Sequence, residues 1–190
     1  MKKAVLIIIF TMIFIISVLI YEHLTHPGPF GSPFTLTDSH GKQVTERDIR
    51  AKPAVIFFGY TMCPDICPTT LFDLSRYLKK LGHEADKIGV WLFTVDPEKD
   101  TPQVLNDYIS NFSEKIIGIS GEPNKVHAAI KSFQIIAEKK VNKDNNDYTY
   151  DHTASIILLN KGGRFIGKIR YQEDEKIALY QLRQLAKSAD

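Results

Sequence analysis

The chain has 190 residues, 44% hydrophobic and 24% charged, which excludes a largely disordered polypeptide and leaves room for one cored domain plus an appendage. A formal charge of only +2 gives no electrostatic reason to expect a nucleic-acid partner. Two cysteines are too few for a disulfide scaffold, so a close pair points to a redox couple or a metal site.

The first predicted element follows Lys2 and Lys3, where residues Ala4 to Tyr21 (AVLIIIFTMIFIISVLIY) carry no charge. A bilayer-crossing helix needs about 17–25 such residues. The run ends in Tyr21-Glu22-His23 without the small-x-small site of a cleavable signal, so residues 1–21 read as an uncleaved, single-pass membrane anchor. The next basic residue is Lys42, so the positive-inside rule leaves the N-terminus in the cytoplasm and exports the rest, into a compartment where thiols tend to oxidise. Residues 22–33, rich in Pro, Gly and polar groups, read as a linker in which His23 and His26 are solvated.

Residues 34–190 read as one folded domain. Phe34 to Thr37 and Gln43 to Thr45 flank the turn signal Asp38-Ser39-His40-Gly41, predicting a small hairpin. Ala54 to Phe58 is a buried strand, and Leu71, Leu74, Leu78 and Leu81 follow at helical spacing. Ile88 to Val95 is a second strand. Thr101-Pro102 is an N-cap followed by proline, the start of a helix. Ile116 to Ile119 is a third strand, and Val126, Ala129, Ile130 and Phe133 mark a further helix. Lys139 to Asp147 reads as an exposed loop or hairpin tip. Ser155 to Leu159, Asn160 to Gly163 and Arg164 to Ile169 make a hairpin, and Ala178, Leu179, Leu182 and Leu185 stripe a last helix. This order predicts an α/β domain with parallel strands first and an antiparallel hairpin last, compatible with a thioredoxin-like fold.

The chemistry sits in Phe58-Gly59-Tyr60-Thr61-Met62-Cys63-Pro64-Asp65-Ile66-Cys67-Pro68, after a strand and before a helix. Each cysteine precedes a proline and is biased towards extended backbone, which places Cys67 near the N-cap with Pro68 in the first turn. Two sulfurs at a helix N-terminus favour thiolate, both nucleophile and metal ligand. Asp65 is expected to point outward, since an inward carboxylate would oppose thiolate. A disulfide closing so short a loop would be a weak staple. A third ligand could come from Tyr148-Thr149-Tyr150-Asp151-His152-Thr153: if Ser155 to Leu159 runs antiparallel beside Ala54 to Phe58, His152 lies at the cysteine rim. Otherwise it is an ordinary surface or core histidine. Two thiolates and an imidazole would suit Cu(I), and imidazole also serves Cu(II). Asp96 ends the second strand at the same rim, either in turn chemistry before Pro97 or in a role beside the ligands. Met62 reads as packing.

Three segments together resemble the Sco/SenC family: Phe57-Phe58-Gly59-Tyr60-Thr61 with Cys63-Pro64-Asp65-Ile66-Cys67-Pro68; Val95 to Pro102; and Asp151-His152-Thr153-Ala154. The resemblance implies a thioredoxin-like domain in which Cys63, Cys67 and His152 bind copper, as Cu(I) or Cu(II). It implies a metallochaperone for the copper centre of cytochrome c oxidase, whose partners are the copper-bearing oxidase subunit or another copper chaperone. The alternative is a membrane-anchored thiol–disulfide oxidoreductase that uses Cys63 and Cys67 as a redox pair and keeps partner cysteines reduced. No Arg- and Ser-rich transit segment precedes the apolar run, so the expected location is a bacterial inner membrane with the C-terminal domain in the periplasm or otherwise outside the cytoplasm.

Overall fold

A computed structural model of the chain describes residues 2–25, 28–141 and 147–189, the side chains of 2–8 and 22–25 excepted. Helix α1 (Lys2–Thr25) covers the charge-free run. Among the described residues no helix is long and apolar enough to cross a membrane, and the expected span over Ala4–Tyr21 begins outside the described side chains. His26 and the side chain of His23 also lie outside them.

Strands β1 (Thr35–Asp38) and β2 (Gln43–Thr45) form the expected hairpin, and a short helix α2 (Glu46–Arg50) follows. The centre of the fold is β3 (Ala54–Gly59), every residue of which is buried. Such an unbroken apolar strand is what a sheet covered on both faces requires. It is followed by α3 (Ile66–Leu81), β4 (Gly89–Thr94), α4 (Pro102–Ile109), β5 (Ile116–Ser120) and α5 (Pro123–Ser132). Strands β3, β4 and β5 are parallel. Thr101 caps α4 by accepting the Val104 N–H, with Pro102 in the first turn, as the sequence predicts.

Next come β6 (Ala137–Val141), β7 (Tyr148–His152), β8 (Ile156–Leu159), β9 (Phe165–Ile169) and α6 (Glu175–Lys187). The main sheet has seven strands in the order β2-β1-β5-β4-β3-β8-β9, and β6 and β7 make a separate two-stranded sheet. Strand β8 runs antiparallel beside β3, Ile56 opposite Ile157 and Ala54 opposite Leu159. The predicted order of elements and the antiparallel final pair are thus present.

Two local expectations need correction. Residues 139–141 are strand and not loop, because β6 pairs with β7 along Ala137–Val141; residues 142–146 lie outside the described ones. The expected linker is also not free throughout. Phe30 packs edge-on against Phe133 and at a tilt against Phe165, with ring centroids 5.8 and 5.4 Å away, and its N–H donates to the Gly163 carbonyl at 2.7 Å.

Candidate metal centre

The carboxyl ends of the parallel strands carry the loops that build the site, the usual place for one in an open α/β sheet. The loop after β3 turns sharply, the Cys63 N–H donating to the Tyr60 carbonyl at 3.3 Å. Cys67 lies near the N-cap, as expected, but in helical and not extended backbone: Asp65 is the cap and Cys67 is the second residue of α3. A proline at the third helical position still lies in the first turn, where N–H groups have no partner within the helix, so Pro68 permits this earlier start. Asp65 is exposed, as expected. Gly59 lets the strand end pass close to the sulfur, since a Cβ there would stand 2.9 Å from Cys67 Sγ.

Both thiols are free, Cys63 half-buried and Cys67 wholly buried. The Cys67 N–H points at Cys63 Sγ from 3.4 Å, and Cys67 Sγ lies 3.3 Å from His152 Nε2. Nδ1 of His152 is 3.1 Å from the Thr153 carbonyl, which can only accept. A neutral ring therefore carries its proton on Nδ1 and turns the Nε2 lone pair towards the sulfurs, the orientation a metal ligand needs. The ring sits edge-on between Phe57 and Tyr60, at 6.2 and 5.9 Å. One ligand atom from each of Cys63, Cys67 and His152 lies within 4.8 Å of the others, so the three could hold one metal ion.

The two thiols are electrostatically unequal. The Cys67 hydrogen bond, helped by the backbone N–H groups of Cys67 and Asp65, pulls the Cys63 thiol down to about 4, against the opposing effect of burial. The hydrogen bond to the Cys63 thiolate, then burial, drive the Cys67 thiol far up. The resting site thus holds one thiolate and one thiol, with the single proton kept on the inner sulfur. It opens onto a cleft of about 490 Å³ whose walls include Tyr60, Pro64, Ile66, Tyr150 and Asp151. A larger hollow of about 860 Å³ beside Phe34, Glu46, Arg47 and Lys125 contains none of the three ligands.

Of the other residues singled out, Met62 is not packed: it is 60% exposed on the rim. Asp96 is fully buried, and its backbone carbonyl accepts from Lys99 and Asp100 in a turn while its side chain reaches elsewhere, accepting the Tyr148 hydroxyl at 3.0 Å. Sequence reasoning allowed a hairpin tip over Lys139 to Asp147 but missed the strands β6 and β7 that flank it, the second of which delivers His152. The signal was there in Tyr148, Tyr150 and His152, whose spacing of two puts them on one face of a strand. It also missed Asp100, which accepts from the Thr61 hydroxyl at 2.5 Å and its N–H at 3.1 Å and so fixes the cysteine loop.

The SCO1/SenC family model matches residues 22–187. The mitochondrial protein SCO2 of Saccharomyces cerevisiae is 35% identical over 156 residues, covering 81% of this chain. The chain spans about half the length of that relative, 52%. Among solved structures, Bradyrhizobium japonicum ScoI with copper bound matches with a TM-score of 0.76 and 42% identity, over 82% of this chain and 99% of that one. Yeast Sco1 with copper bound matches at 0.75 and 31%, over 84% and 90%.

Proposed function

The chain belongs to the SCO1/SenC family, and from that membership we propose a metallochaperone whose cargo, one copper ion, is held by Cys63, Cys67 and His152 and delivered to the copper centre of cytochrome c oxidase. The observation that carries this reading is the convergence of two sulfurs and one imidazole nitrogen within 4.8 Å. Soft thiolates select Cu(I), and the imidazole supports either oxidation state. Relatives of similar sequence whose structures contain copper support the same cargo. Cys63 is already ionised at neutral pH, so it would meet the incoming ion first. Cys67 gives up its proton as its sulfur binds, and His152 supplies an unprotonated Nε2. Delivery proceeds by ligand exchange: a thiolate or imidazole of the acceptor replaces one of the three groups, and the ion is never free.

The decisive experiment is titration of the reduced full chain, in detergent, with Cu(I) against a competing chelator. One Cu(I) bound tightly per chain is expected, with weaker binding in His152→Ala. Equal affinity in that variant removes His152 from the site.

One observation favours a second reading. A partly exposed thiolate beside a buried, protonated thiol is the arrangement of a thiol–disulfide oxidoreductase, in which Cys63 attacks and Cys67 resolves. Turnover on a disulfide substrate that survives His152→Ala would assign that activity to the dithiol alone.

The anchor belongs to the same reading. Residues 1–21 hold the protein in a bacterial inner membrane and residues 34–190 stand outside the cytoplasm. Supporting this are Lys2 and Lys3 ahead of the charge-free run and the length of α1, 24 residues or about 36 Å. Its described side chains, such as Phe10 and Phe14, are exposed to what surrounds the helix.

A further inference from the structure

Among the described residues the pair of strands that carries His152 has no ladder to the seven-stranded sheet, so apart from the short run from His152 into β8 the pair is seated by side chains. Three of those side chains, Asp96, Glu98 and Lys99, come from one loop, residues 95–100, between β4 and α4. On one side Asp100 grips the cysteine loop through Thr61, and it is braced by the Thr94 hydroxyl at 2.6 Å. On the other side Asp96, fully buried, accepts the Tyr148 hydroxyl at 3.0 Å. Two ammonium groups lie over the Tyr148 ring, Lys99 Nζ at 4.0 Å and Lys139 Nζ at 3.7 Å from its centre. Around this lie two ion pairs across the same junction, Lys139 with Glu98 at 2.8 Å and Lys99 with Asp147 at 3.2 Å. Both are open to solvent and contribute little. A buried carboxylate receiving a phenol is the strong member of the set, because its loss leaves a charge without solvent or donor. Burial and the neighbouring carboxylate both raise the Tyr148 phenol, which keeps it a donor.

We propose that Asp96 and Tyr148 form a latch that seats the β6–β7 hairpin, and that both are positioning residues acting on the metal site through His152. The proposal rests on the copper reading of Cys63, Cys67 and His152. One loop thereby ties together the two halves of the site, Asp100 holding the sulfurs and Asp96 holding the imidazole. One other hydrogen bond shares the seating: the Tyr150 N–H donates to the Tyr60 hydroxyl at 3.2 Å. With the latch open the hairpin spends part of its time undocked, and apparent metal affinity falls by the fraction lost.

The test uses the reduced full chain in detergent and two variants, Tyr148→Phe and Tyr148→Phe with Asp96→Asn; the second leaves no stranded charge and guards against misfolding. Amide exchange of the metal-free protein is expected to speed up about tenfold in residues 137–141 and 148–152 and to stay unchanged in β3. Cu(I) competition is expected to show a loss of affinity in both variants equal to the seated fraction lost, at most about tenfold for a tenfold rise in opening, and almost none when Tyr148→Phe is placed in a His152→Ala background, since the latch then has nothing to position. Unchanged exchange in the hairpin overturns the latch. So does an equal affinity loss with and without His152, which would mean general destabilisation. A wild-type chain that takes up no Cu(I) overturns the copper reading instead, and the exchange result still decides whether the latch holds the hairpin.

Discussion

At the scale of single residues the inequality of Cys63 and Cys67 has a definite pH signature. Cys63 is held down at about 4, whereas an unfolded thiol titrates near about 8.5. Between those values unfolding takes up a proton at Cys63, so its contribution to stability is complete above the unfolded value and is lost as pH falls through about 4. Cys67 is pushed the other way: above about 8.5 the unfolded chain ionises there and the folded chain does not, so stability declines as pH rises further. The reduced pair should therefore stabilise the fold most near about pH 8.5. Urea midpoints of the reduced wild type and of the double variant Cys63→Ser, Cys67→Ser, compared from about pH 5 to about pH 10, should differ most there. A difference that does not vary with pH would contradict the assignment of one thiolate and one thiol.

At the scale of elements, the loop that closes β4 matters as much as the strands. Asp100 is buried, and burial raises its carboxyl against the lowering effect of the Thr61 and Thr94 hydroxyls. Asp100→Ala would leave two hydroxyls and the Thr61 N–H without their acceptor, and a loss of about 2–4 kcal/mol is expected. Thr61→Val, which removes one donor, should cost about 1 kcal/mol. Chemical denaturation reads both, and an Asp100→Ala chain as stable as wild type would show that this anchor does not hold the cysteine loop. The elements themselves were largely legible in sequence, because β3, β4 and β5 are unbroken apolar runs and α3 and α6 have clean helical stripes. Cys63, Cys67 and His152 converge because β8 pairs with β3 in the predicted antiparallel sense. What escaped was set by partners distant in sequence. Strand β6 is exposed and lysine-rich, with no apolar alternation to announce it. Cys67 adopts helical backbone before a proline because Asp65, and not Cys67, ends up as the cap. Met62 has the composition of a core residue but lies at a rim where nothing covers it.

At the scale of the whole molecule, the anchor and the folded body pose one joint question. If residues 1–21 hold the chain in a membrane, the full chain should stay in the alkali-washed membrane fraction of expressing cells. A chain lacking those residues should then move to the soluble fraction and keep its Cu(I) binding. Membrane retention of the shortened chain would contradict the anchor. The attachment point of the body also fixes how it is presented. Phe30 is clamped between the Gly163 carbonyl and the Arg50 guanidinium, next to the turn that follows Leu159, which stands opposite Ala54. That is the amino end of β3, whereas the sulfurs lie beyond its carboxyl end, about 20 Å away along the strand. Four positions, 26–29, separate α1 from this clamp, so Thr25 and Phe30 can stand at most about 18 Å apart. If residues 1–21 do sit in a membrane, so short a leash fastened at the opposite pole would hold the sulfurs and His152 out from the lipid surface, facing away from the bilayer.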